Sequence, residues 1–166
     1  MNDSNRTCEV SIPLKQFLTF NDCCPPRWKG YDLYLVSEGQ VTFYVGQSHC
    51  AFERLWEHIR GGPKGHALLG RFILCNWPRA AGWTMTLVGS DDARFAGVGH
   101  SRDAAEQLLI AALKPCLNVT LNEHPTPLPP GILPANSPIK NLRSFRRMLR
   151  EAGYTRRATE QDSEWD

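Results

Sequence analysis

The sequence predicts an α/β (α+β) chain: a small sheet flanked by helices and extended by a C-terminal basic helix. Three observations carry this. Residues 31–46 alternate like a hairpin, "AFERLWEHIR" and "SRDAAEQLLIAALKP" repeat apolar residues at helical spacing, and an arginine-rich helical pattern follows Pro138. At 166 residues the chain holds one domain plus extensions, and that domain is large enough to bury its own core.

Residues 1–30 read as a polar, irregular N-terminal arm that closes in the turn-prone "CCPPRWKG". Residues 31–37 and 41–46 read as strands joined by a tight turn at Glu38-Gly39. Phe52, Leu55, Trp56 and Ile59 then fall at i, i+3, i+4 and i+7, an amphipathic helix with Ser48 as its expected cap. "GHALLGRFILCNWP" fits a short helix or a buried strand; helix is preferred, with Pro78 as its stop. "WTMTLVG", 83–89, is a third strand. The helix over 102–114 has Ser101 as cap, Asp103 in its first turn and Pro115 at its end. Nearly everything from Ala104 to Leu113 is apolar, so this helix is expected to be mostly buried.

Six prolines between Pro125 and Pro138 predict a stiff, extended linker over 122–139. A basic segment over 140–157 follows, its helix ending near Gly153, and then an acidic, disordered tail over 158–166. There are no internal repeats.

Charge is close to balanced, +2 at neutral pH, so there is no global electrostatic pull toward nucleic acid. No run of 18 apolar residues exists to span a membrane, and the first 20 residues lack the pattern of a signal peptide. The expected location is cytoplasmic. The cysteines, Cys8, Cys23, Cys24, Cys50, Cys75 and Cys116, form no CxxC pair and read as free thiols, several acting as small core residues.

The hairpin raises the functional question. Leu33 and Leu35 against Val41, Phe43 and Val45 form its expected core face, which sets Tyr34 and Tyr44 together on the other face. With a three-residue loop at 38–40, Tyr34 is expected directly opposite Tyr44, Cβ atoms roughly 4.5–5.5 Å apart. Such a pair either stiffens the sheet or does chemistry. Arg54 and His58, i and i+4 on the next helix, point away from its apolar stripe, as a polar face or as part of a site. Glu106 shares a stripe with Leu109, Ile110 and Leu113, where a carboxylate is costly unless paired or bound to a cation.

Tyr34 in "DLY", Tyr44 in "YVG", Arg54, His58, Glu106 and Asn118 in "KPCLN" form an ordered set. Over about residues 31–119 that set resembles the GIY-YIG nucleases, which are homing, restriction and repair endonucleases. The resemblance implies a three-stranded antiparallel sheet flanked by helices, within a nuclease domain over 31–121. It implies that Tyr34 contacts the attacking water as general base or relay, and that Tyr44 orients the scissile phosphate. It further implies that Arg54 neutralises that phosphate with help from His58, and that Glu106 holds one divalent metal, Mg²⁺ or Mn²⁺. Asn118 resembles a less critical asparagine near the domain's end.

Elementary chemistry agrees with that division of labour. Phosphodiester hydrolysis needs an activated water, charge neutralisation and help for the leaving oxygen. A tyrosine titrates near pH ~10, so a neighbouring arginine and a cation are expected to lower it. One carboxylate suffices for an ion that keeps several waters. Two positions depart from the family pattern. Asp32 replaces the first-motif glycine, where it either adds a metal contact or repels substrate, and Gln47 stands where repair members often carry lysine.

The expected activity is metal-dependent endonuclease cleavage of DNA. The alternative is a catalytically silent module of the same type that binds nucleic acid or serves as a scaffold. Arg143, Arg146, Arg147 and Arg150 form one stripe on the tail helix beside Leu142, Phe145 and Leu149. That stripe is either a solvated face or a track for a DNA backbone. A protein partner or oligomer is left open.

Overall fold

A computed structural model describes residues 9–153. Cys8, Arg156, Arg157 and the expected acidic tail lie outside the described residues. The architecture is a mixed α/β fold around an antiparallel sheet of four strands rather than three, in the order β1-β4-β2-β3. Here β1 is Glu9–Pro13, β2 Leu33–Glu38, β3 Val41–Gln47 and β4 Thr84–Val88.

The added strand comes from the segment expected to be irregular. β1 pairs along the whole of β4, placing Val10 and Ile12 beside Leu87 and Met85. Its five residues carry only two strong apolar positions, and its last residue is a proline, which an edge strand tolerates. A helix follows at once, α1 (Leu14–Leu18), burying Leu14, Phe17 and Leu18 at i, i+3 and i+4.

The hairpin register differs from the expected one. Glu38 pairs with Val41, so the turn holds only Gly39 and Gln40, and Gly39 takes φ +57°, which glycine adopts without strain. The register then shifts at Val36/Ser37: Ser37 faces Thr42, Val36 faces Tyr44, and Phe43 is the extra residue of a bulge. A bulge reverses the inside–outside phase of a strand. Phe43 therefore turns away from Leu33 and Val45 and packs against Phe72 and Trp83, ring centroids 5.1 and 4.6 Å apart.

Both faces of the sheet are covered. The larger core joins Tyr34, Val36, Phe43, Met85 and Leu87 to α1, to α2 (Ala51–Gly61) and to α3 (Leu68–Cys75). A smaller one joins Leu33, Val45 and Val88 to Phe95 and to Ala105, Leu109 and Ile110 of α4 (Arg102–Leu113). The expected apolar stripe of α2 is fully buried, but its first residue follows Cys50, not Ser48, at the N-cap position. Ser48 Oγ still accepts from the Cys50 backbone N–H at 3.4 Å. The Ser101 cap of α4 is present, accepting from Ala104 N–H. That helix is less buried than expected: Leu108 and Leu113 are 40% and 39% exposed, because α4 covers the sheet with one face only.

The proline-rich segment is not a free linker. Ile132 and Ala135 are buried, Asn76 at the end of α3 donates to Leu133 O and accepts from Leu133 N–H, and Arg71 donates to Ala135 O and Ser137 O. It delivers the last helix, α5 (Leu142–Glu151), whose Phe145 meets Trp77 edge-on at 5.0 Å. No helix among the described residues is long and apolar enough to cross a membrane.

Candidate active site

Tyr34 lies in β2, opposite Gly46 of β3 rather than opposite Tyr44. A Cβ at position 46 would overlap the Tyr34 ring, so the glycine of "YVG" is what allows the phenol to cross over β3. Tyr44 faces Val36 two pairs along, and the two phenols meet diagonally, nearly stacked with centroids 6.0 Å apart.

The helix α2 runs directly out of β3 and sets His58 against both rings, 5.8 Å from each centroid. His58 Nε2 and Tyr34 OH form a buried hydrogen bond of 2.9 Å. His58 does not sit on the exposed polar face where helical spacing puts it: it is buried, while Arg54 is exposed and pairs with Glu57 at 2.7 Å. That exposed i, i+3 pair is worth little and leaves the guanidinium available to another anion.

The electrostatics differ from expectation at Tyr34. Burial first, then Tyr44, pushes its phenol above the ordinary range, and Arg54 only partly opposes this. The Tyr44 phenol is raised by burial and next by Glu106, again against Arg54. Burial and then Arg54 hold His58 down at about 4. At neutral pH the cluster is therefore two neutral phenols and a neutral imidazole beside a cation. It holds a hydrogen-bonded phenol–imidazole pair rather than a tyrosinate.

Glu106 rises from α4 toward this cluster, close enough for its charge to act on Tyr44. It has no salt bridge among the described residues. Instead Gln47 Nε2 donates to Glu106 Oε2 at 2.8 Å and to Asp103 Oδ1 at 2.6 Å, while Gln47 Oε1 accepts from Arg102 Nε at 2.8 Å. Arg102 Nη1 in turn lies 3.0 Å from His49 Nδ1. In the sequence Gln47 stands out only as a departure from the family pattern, and nothing there marks Asp103, Arg102 and His49 as its neighbours. No group of three or more His, Cys, Asp or Glu among the described residues is placed to hold a metal ion. Glu106 and Asp103 are the two carboxylates at this point, joined through the Gln47 amide.

Two residues stand apart from the cluster. The Asp32 carboxylate accepts from Ser90 N–H at 2.7 Å and Ser90 Oγ at 2.6 Å, which ties it to the loop after β4. Asn118 pairs with the backbone of Val45, accepting at 2.9 Å and donating at 2.8 Å. With Cys116 and Leu117 donating to Thr42 O and Phe43 O, it closes the free edge of β3. The structure therefore brings together Tyr34, Tyr44, Arg54, His58 and Glu106, and gives Asn118 a role in the sheet. On α5, Arg143, Arg147 and Arg150 are exposed and Arg146 is half-buried, while Phe145 and Leu149 dock on the core.

Compared with protein-family models, with curated proteins and with solved structures, the chain matches none.

Proposed function

We propose that this protein is a metal-dependent endonuclease of the GIY-YIG type that hydrolyses phosphodiester bonds in DNA. The observation that carries the reading is the 2.9 Å bond between Tyr34 OH and His58 Nε2, with Tyr44 and Arg54 beside it. A phenol held by a neutral imidazole can pass a proton without becoming a phenolate. As water attacks phosphorus, Tyr34 oxygen takes the water's proton while its own moves to Nε2 of His58. Tyr44 hydrogen-bonds a phosphate oxygen and fixes the line of attack. Arg54 leaves Glu57 for the phosphate, where its planar fork meets the charge that grows on the equatorial oxygens. Glu106 would hold Mg²⁺ or Mn²⁺, which when bound acidifies a coordinated water and neutralises phosphate charge. On α5, Arg143, Arg146, Arg147 and Arg150 follow the duplex backbone beyond the site.

A second reading, a catalytically silent module that binds nucleic acid or scaffolds a partner, is favoured by one observation: Tyr34 is only 2% exposed. Single-turnover cleavage by variants separates the two. Tyr34→Phe keeps the ring and loses the relay, and the expected loss is ~10²–10⁴ in rate with little change in melting temperature. Arg54→Lys keeps the charge and loses the fork, and a large loss of cleavage with a modest loss of DNA binding is expected. Absence of any cleavage by the wild-type protein, with DNA binding intact, would favour the silent module.

A further inference from the structure

Cys24 and Cys50 are 26 residues apart in the chain, yet the fold brings their sulfurs to 3.9 Å. Cys24 lies in the segment between α1 and β2, and Cys50 is the residue from which α2 starts. Both sides of this contact are held in place. Trp28 anchors the segment by meeting Phe20 and Phe52 at ring-centroid distances of 4.8 and 6.0 Å, and Ala51 N–H donates to Tyr31 O at 3.0 Å. The other described thiols are occupied or remote: Cys75 donates to Ser137 O and Cys116 to Pro127 O, while Cys23 is exposed. Disulfide bonding at ~2.05 Å requires these two sulfurs, 3.9 Å apart, to approach by about 2 Å.

We propose that Cys24 and Cys50 form a redox modification site, two thiols that a low-molecular-weight disulfide converts to one intramolecular bond. Burial and the neighbouring Cys50 push the Cys24 thiol up to about 12. One thiolate of the pair attacks one sulfur of the small disulfide, forming a mixed disulfide and releasing one small thiol. The other thiol of the pair, losing its proton to solvent, then attacks that protein sulfur and releases the second small thiol. Two protein thiols are oxidised and one disulfide is reduced to two thiols. The product clamps the 19–32 segment to the first turn of the helix that carries Arg54 and His58. It constrains the unfolded chain across this loop and so raises stability. This proposal does not depend on the nuclease reading.

The test uses the full-length chain incubated with oxidised glutathione, quenched by alkylation and mapped by fragmentation mass spectrometry. The expected result is a Cys24–Cys50 linkage that persists in Cys23→Ser and is lost in Cys24→Ser and Cys50→Ser. The oxidised protein should melt roughly 5–10 °C above its reduced form, the gain vanishing with dithiothreitol. The linkage map on the wild-type protein needs no variant to fold. Separate glutathione adducts on the two cysteines, a linkage through Cys23, bonds only between chains, or a linkage with no rise in melting temperature would each overturn the proposal.

Discussion

His58 shows how one buried side chain couples the site to pH. Its imidazole is held at about 4 by burial and by Arg54, against an ordinary value of 6.5. As pH falls, the unfolded chain takes up this proton near 6.5, whereas the folded protein waits until about 4. Stability is therefore fully present above pH ~6.5 and declines as pH drops toward ~4, by about 3 kcal/mol when the whole shift is expressed. Urea denaturation of wild type and His58→Gln across this window checks it: the variant should show the shallower decline, and parallel profiles would contradict the assignment. The identities of Tyr34, Tyr44, Arg54, His58 and Glu106 were legible as an ordered pattern of polar residues beside apolar stripes. Their environment was not. Helical spacing put His58 on a polar face, because the wheel knows nothing of the two rings that cover it. The upward shift at Tyr34 follows from its burial, which alternation along one strand cannot report.

At the scale of elements, the strong periodicities translated directly into structure. The helices α2 and α4, the hairpin strands and the strand near 83–89 all form within a few residues of where their patterns place them. What failed depends on partners distant in sequence. The five-residue β1 becomes a strand only beside β4, and the bulge at Phe43 is visible only once Phe72 and Trp83 are there to receive it. The proline-rich segment looked like a spacer because prolines cannot build regular structure, yet Asn76 and Arg71 supply partners for its backbone groups. Removing everything after Thr120 would take Ile132, Ala135, Phe145 and Leu149 out of the core. Losses of ~2–5 kcal/mol per large buried side chain exceed what a marginally stable domain can spare. The truncated chain should lack a cooperative thermal transition, and a two-state melt near that of the full chain would show the segment to be dispensable. The arginine stripe on α5 is better probed in place. Changing exposed Arg143, Arg147 and Arg150 together to Gln should leave the melt unchanged. It should also flatten the salt dependence of DNA binding by ~0.9 for each phosphate that the helix no longer neutralises. An unaltered slope would make α5 a structural helix only.

At the scale of the whole molecule, the sheet is covered on both faces, and the polar side chains of the candidate site converge at the β3–α2 connection near α4. The strand supplies Tyr44 and Gln47, the helix after it Arg54 and His58, and α4 Glu106, so the groups of the proposed site come from elements fixed by two separate cores. The small net charge of +2 means that hold on a nucleic acid has to come from local groups such as these and the α5 arginines, not from the field of the whole chain. The central claim is that this cluster cuts phosphodiesters with a cation on Glu106. It is tested most directly by nicking of supercoiled plasmid with Mg²⁺ or Mn²⁺ and with chelator, comparing wild type with the near-isosteric Glu106→Gln. The account predicts metal-dependent nicking by wild type, and in Glu106→Gln a loss of nicking with melting temperature and DNA binding retained. Nicking by Glu106→Gln at the wild-type rate, or nicking by wild type that chelator leaves unchanged, would contradict it.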